Sequence, residues 1–383
     1  MLRSLAAFLL SLHACLAWSG QGLSPDEIRV GTIQDLSGPI ALLGVPIRDG
    51  MQMRFDRENA AGGIHGRRVR LVVEDSGYDP KRGVLAARKL LDRDRVFAML
   101  GTLGTPVTLA TMPLALERGV PHLFPFSPHR DTYEPLHRLK FQIFAPYYDY
   151  MRAATLHMLR TKGYRRVGIL YQDDDYGLEV LRGVEAALAT AGVPLVEKAS
   201  YKRGATDFAS QIARLRAADA DLVVLATVVR ETVGAVSEAR KTGWNVDMLV
   251  TASGYSAQVH ELGGRSVEGL YGVCVVPHPY ADGANPELAA WIADYRKRFG
   301  AEPNVWSVMG YTAADLFVRA ARKAGPGLTS DSFVAALEQV RTPPDFFGSP
   351  EYAFSATDHL GNHHRRLAQI RDGRWVIVSD YLR

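Results

Sequence analysis

The constraint that narrows this chain's fold most is that it writes one α/β unit twice. Residues 29–33 (Arg-Val-Gly-Thr-Ile) open a run of strand, Gly-containing loop, helix, strand, helix and strand that ends at 97–101 (Phe-Ala-Met-Leu-Gly). Residues 166–170 (Arg-Val-Gly-Ile-Leu) open a second such run, ending at 222–226 (Leu-Val-Val-Leu-Ala). In each copy a single glycine stands where the loop enters its helix: Gly44 before Val45, Gly177 before Leu178. Strand and helix signals then alternate from Ile28 to about Ala324, the pattern of βαβ units and parallel sheets. The loops leaving the carboxyl ends of parallel strands share one edge, and ligands bind there. Two such lobes facing each other across a cleft suit capture of a small molecule.

With 383 residues, 47% hydrophobic and 22% charged, the chain has room for two to three domains of ordinary globular composition. Its net charge of +4 is spread along the sequence. No dense basic run exists for nucleic acid to grip, and no nucleic-acid partner is expected. Met1-Leu2-Arg3 followed by an apolar stretch to Leu12 reads as a secretory signal over residues 1–20. Three readings fit this stretch: soluble export, acylation at Cys15 within Leu12-His13-Ala14-Cys15, and an apolar N-terminal helix kept in the fold. No later stretch is long and apolar enough to span a membrane, so a water-soluble mature chain is expected. Cys274, in an apolar strand-like run, is then left without a disulfide partner and reads as a buried small hydrophobe.

The best candidate for chemistry is 100–106 (Leu-Gly-Thr-Leu-Gly-Thr-Pro), where a buried strand passes through two glycines into a helix. Leu103, Gly104 and Thr105 can approach a ligand there, and free N–H groups at the helix start favour an anion. Plain helix capping is the competing role for Thr105. Phe126 and Ser127 follow the next strand and should border the same edge. Tyr176 holds the matching loop of the second unit, and Thr227 follows that unit's third strand. Asp173-Asp174-Asp175 reads as solvated charge at a helix entrance, and His363-His364-Arg365-Arg366 as surface. No dinucleotide fingerprint, P-loop or Gly-x-Ser-x-Gly elbow is present. Neither a metal nor a cofactor is expected, and no catalytic constellation supports an enzyme.

These residues together resemble the periplasmic substrate-binding proteins of ABC importers, in the branched-chain amino acid type. The likeness runs from Ile28 to Tyr381 and rests on several segments: 28–31 with Leu36-Ser37-Gly38-Pro39, 58–66 (Glu-Asn-Ala-Ala-Gly-Gly-Ile-His-Gly), 75–80, 101–105, Gly119-Val120-Pro121 and Asp175-Tyr176-Gly177. The resemblance implies two doubly wound three-layer lobes, joined by three crossover segments and closing on one ligand like a hinge. Its expected division is 26–144 plus 277–346 for the first lobe and 145–276 plus 347–383 for the second. Gly104 and Thr105 match the loop that holds a ligand carboxylate, Phe126 and Ser127 the next contact, and Tyr176 the second-lobe tyrosine. At 251–255 (Thr-Ala-Ser-Gly-Tyr) the acidic residue that pairs with ammonium in amino acid binders is missing. A buried ammonium without a counter-charge costs several kcal/mol. The expected ligand is therefore a carboxylate with an apolar or aromatic body, surrounded by Leu42, Leu43, Phe126, Tyr176 and Tyr255. The resemblance further implies a monomer in the periplasm, with membrane permease subunits as partners. A sensor of the same fold is the alternative.

Overall fold

The computed structural model describes residues 21–382. The signal sequence expected over residues 1–20, with Cys15 in it, lies outside the described residues. Two sheets organise the molecule. The first has the order β2-β1-β3-β4-β5, built from β1 (Glu27–Gln34), β2 (Arg68–Asp75), β3 (Ala98–Leu100), β4 (His122–Leu123) and β5 (Lys140–Phe141), all parallel. The second has the order β14-β13-β10-β9-β8-β6-β7. Its strands β6 (Val167–Gln172), β7 (Leu195–Tyr201), β8 (Leu222–Ala226), β9 (Asp247–Val250) and β10 (Tyr271–Cys274) run parallel. The antiparallel hairpin of β13 (Arg366–Arg371) and β14 (Arg374–Ile377) closes one edge. Asp372 and Gly373 turn that hairpin at φ 52° and 70°, the left-handed pair that matches strand twist. Reversal of order around the first strand of each unit makes both sheets doubly wound, as the resemblance implies.

The helices cover both faces. Around the first sheet stand α1 (Ala41–Ala60), α2 (Pro80–Arg88) and α3 (Thr105–Glu117). The second carries α4 (Tyr147–Lys162), α5 (Asp175–Ala191), α6 (Ala209–Ala217), α7 (Val229–Lys241) and α8 (Ala257–Gly263). The chain then returns, and α9 (Pro286–Phe299), α10 (Val305–Lys323) and α11 (Ser330–Leu337) rejoin the first lobe. Phe317 on α10 meets Phe55 of α1 and Phe97 edge-on at 5.9 and 6.2 Å, and Phe97 meets Phe333 of α11 at 5.5 Å. Helices α1 and α10 touch backbone to backbone. A methyl group added at Gly50 would stand 2.0 Å from the Ser307 carbonyl oxygen, and one at Gly310 would stand 2.2 Å from that of Ile47.

The repeated glycines have the same cause in both lobes. A Cβ at Gly44 would lie 2.0 Å from the Asp35 carbonyl oxygen, and one at Gly177 would lie 1.9 Å from that of Gln172. Each helix therefore begins pressed against the end of the strand before it.

The main chain passes between the sheets three times: after β5, after β10, and before β13. The third passage falls later than the division at 346/347. Phe354 stacks on Phe124 at 5.7 Å, His359 stacks on Phe141 at 3.8 Å, and Leu360 bridges Gln142 in parallel. Aromatic packing thus holds the chain on the first sheet to Leu360, and it reaches the second only at Arg366.

Two expectations follow. Gly310→Val should force α1 and α10 apart and cost at least about 1–3 kcal/mol, read as a lowered midpoint of urea unfolding. His122, on β4, is fully buried, and neither ring nitrogen has a hydrogen-bond partner. Burial, aided by the Lys140 charge, pulls its pKa down to about 3. The native state therefore refuses a proton that the unfolded chain takes up below about pH 6.5, so stability should fall as pH drops from 6.5 towards 3, by up to about 1.4 kcal/mol per unit. His122→Leu should flatten that slope in urea titrations between pH 7 and pH 4; an unchanged slope would show that other groups carry it.

Candidate functional site

The strand-exit loops of both sheets converge on one cleft, with a cavity volume of about 70 Å³ inside a space of about 890 Å³ that includes its mouth. From the first lobe come Ile40 and Leu43 beyond β1, Tyr78 beyond β2, Leu103, Gly104 and Thr105 beyond β3, and Phe126 beyond β4. From the second come Tyr176 beyond β6, Val228 beyond β8, and Ser253 and Tyr255 beyond β9. All three passages between the sheets also reach it, through Phe144 and Ala145, through 273–276, and through His364 and Arg365. Trp306 and Met309 of α10 complete the wall.

Of the residues expected from sequence, Leu43, Leu103, Gly104, Thr105, Phe126, Tyr176 and Tyr255 line this cleft together. Ser127 and Thr227 stand one layer behind. The Ser127 hydroxyl donates to Thr105 Oγ1 at 3.0 Å, and the Thr227 carbonyl accepts from the Tyr176 hydroxyl at 3.1 Å. Leu42 is only partly buried and packs against the core beside the wall. Tyr176 shows the cleft its ring, because its hydroxyl is spent on Thr227 and on Thr251 Oγ1, 2.6 Å away. That ring meets Tyr147 edge-on at 4.9 Å.

Three tyrosines of the wall, Tyr78, Tyr147 and Tyr150, escaped the sequence reading. Two open helix α4, where Tyr-Tyr-Asp-Tyr looks like ordinary amphipathic spacing. Tyr78 sits in a turn at φ 58°, a conformation rare for an aromatic residue. Burial raises the pKa of all three, that of Tyr147 to about 12. At neutral pH they are protonated donors. The Tyr150 hydroxyl has no hydrogen-bond partner. Cys274 also faces the cleft, and burial pushes its thiol up to about 12. It offers an apolar sulfur surface rather than a nucleophile.

The lobes touch across the cleft at Tyr78. Gln172 Nε2 donates to its hydroxyl at 3.0 Å, and Arg203 donates to its carbonyl at 2.6 Å. The Arg203 guanidinium also lies 5.0 Å from the ring centroid and 3.7 Å from Asp174. Asp174 in turn accepts from Gln172 and caps α5 through the Tyr176 and Gly177 N–H groups. Burial raises the Asp174 pKa, against the pull of Gln172 and Arg203. A second contact joins His129 and Arg130 of the first lobe to Glu179 of α5, each 4.0 Å away.

No helix among the described residues is long and apolar enough to cross a membrane, and no group of three metal-ligating side chains occurs there.

The family model for periplasmic binding proteins matches residues 27–374. A Leu/Ile/Val-binding protein homolog 7 from Brucella abortus is 25% identical over 393 residues, covering 97% of this chain and 96% of its own. A fatty acid ABC transporter substrate-binding protein from Thermomonospora curvata superposes with a TM-score of 0.85 at 24% identity, over 95% of this chain and 94% of that one. A solute-binding protein from Rhodopseudomonas palustris in complex with benzoate gives 0.82 at 18% identity, over 93% and 96%.

Arg203 lies outside the cleft lining, so Arg203→Ala should loosen closure without touching a ligand. Losing its hydrogen bond and ring contact removes about 1 kcal/mol from the closed form. The radius of gyration from small-angle scattering should rise. An unchanged scattering profile would show that the clamp does not set the balance.

Proposed function

This chain belongs to the periplasmic binding protein family, and we propose that it is the solute-binding component of an ABC importer, taking a small carboxylate with an apolar or aromatic body. The observation that carries the reading is the composition of the cleft wall: tyrosine, phenylalanine, tryptophan and aliphatic side chains from both lobes, with no carboxylate among the described residues. An α-ammonium group closed inside such a wall would lose its hydration without gaining a counter-charge, at several kcal/mol. A carboxylate would meet no like charge in that wall, and an apolar body gains about 25 cal/mol for each Å² of surface removed from water. The fold of the Rhodopseudomonas palustris protein holds benzoate, a ligand of this description.

Membership of the family implies a periplasmic location and a binding rather than an enzymatic role. Export through residues 1–20, service to a membrane permease and action as a monomer belong to the proposal. On binding, the passages at 144–145, 273–276 and 361–365 take up the rotation between lobes, and closure buries most of the ligand.

Thermal unfolding with benzoate, phenylacetate, octanoate and leucine tests the ligand class. A carboxylate at 100 times its Kd should stabilise the protein by about 2.7 kcal/mol, while leucine leaves the midpoint where it was. Strong stabilisation by leucine, with no response to any of the acids, would overturn the reading.

A further inference from the structure

The loop that would hold a carboxylate by resemblance is already occupied by the protein's own groups. Gly104 stands at φ 93°, and a Cβ there would lie 2.5 Å from the Tyr78 ring, which covers it. The Thr105 hydroxyl accepts from Ser127 and donates to the Tyr147 hydroxyl at 3.4 Å. The Tyr176 hydroxyl is turned into the second lobe. Among the described residues, the only charged or basic side chains in the cleft lining lie elsewhere: His364 and Arg365, side by side in the third passage between the sheets.

The two differ. His364 is exposed, with Nδ1 3.0 Å from Asn362 Oδ1 and its ring 4.7 Å from that of Tyr381. Burial, then His363 and Arg365, pull its pKa below the ordinary value, so it is neutral at pH 7. Arg365 is half-buried. One terminal nitrogen donates to the His363 carbonyl at 3.2 Å, while its Nε is shut away from water and makes no hydrogen bond. No carboxylate among the described residues pairs with it within 4 Å. Asp149 and Arg152 of α4, opposite in sign, act on it from a greater distance. Only Nε is shut away; the terminal nitrogens, one of them on an exposed hydrogen bond to His363, are the donors that an anion can reach, in the planar fork that suits a carboxylate.

We infer that Arg365 is the charge partner of the ligand. An anionic head, carboxylate first, docks at the hinge end of the cleft, and the apolar body runs past Phe144, Val275 and Trp306 towards the tyrosines. The inference rests on the binding role proposed above and adds the ligand's orientation and the residue that selects its charge. It reverses the polarity that the resemblance implies, in which the head lies at Gly104 and Thr105.

Titration calorimetry with benzoate, 3-phenylpropionate and octanoate, each beside its primary amide, decides the matter on the wild type, Arg365→Gln and Arg365→Lys. The Gln variant should bind the acids about 10- to 100-fold more weakly and the amides within about threefold of wild type. The Lys variant should recover part of the acid affinity, and it also serves if the Gln variant fails to fold by circular dichroism. Acid affinity unchanged in the folded variants would overturn the inference while leaving the binding role intact. A wild type that binds no acid but takes up leucine would overturn the ligand class proposed above, and the inference with it.

Discussion

Both lobes depend on a contact with no room for a side chain: the first turn of a helix set against the carbonyl group of the strand before it. Gly44 meets Asp35 in this way and Gly177 meets Gln172. Any Cβ would push the helix off the strand end, so these glycines fix where each loop leaves its sheet. With parallel strands, one such exit sets the edge on which the others emerge. The cleft follows from two edges placed face to face, and the side chains that line it are those the exits happen to carry.

What the exits carry is unusual in one respect. The wall is mostly aromatic and aliphatic, its buried tyrosines keep their protons, and among the described residues its one fixed charge, that of Arg365, is positive. Tyr78 belongs to both sides of the design. Its ring forms wall and covers Gly104, while its hydroxyl and carbonyl are held by Gln172 and Arg203 of the opposite lobe. Shape of the cleft and balance between open and closed forms thus meet in a single residue, so changes there should alter both together.

Much of the architecture was legible in the residues. Alternating strand and helix signals, the paired glycines and the Asp372-Gly373 hairpin turn are local features, and local features read directly. The helices 147–162, 286–299 and 305–323 have the bounds that their flanking residues imply. The third passage between the sheets was not readable from spacing, because Phe354 and His359 stay with the first sheet through stacking on Phe124 and Phe141, residues more than two hundred positions away. Among the site residues, those on loops following strands were visible, since the strand pattern points at them. Tyr147 and Tyr150 begin a helix whose pattern says only that one face is buried. Arg365 looked like surface because its neighbours, His363, His364 and Arg366, are polar.

The sequence alone determined a repeated α/β unit and the edge at which its loops emerge, because both depend on residue type and near spacing; the doubly wound lobes and the missing acidic partner at 251–255 came from its resemblance to a family. Only the tertiary structure decided that Tyr78 spans the cleft, that the hydroxyls of Thr105 and Tyr176 are already engaged, and that Arg365 belongs to the cleft lining. Those facts depend on which segments meet across the cleft, and the meeting is set by packing between residues far apart in the chain.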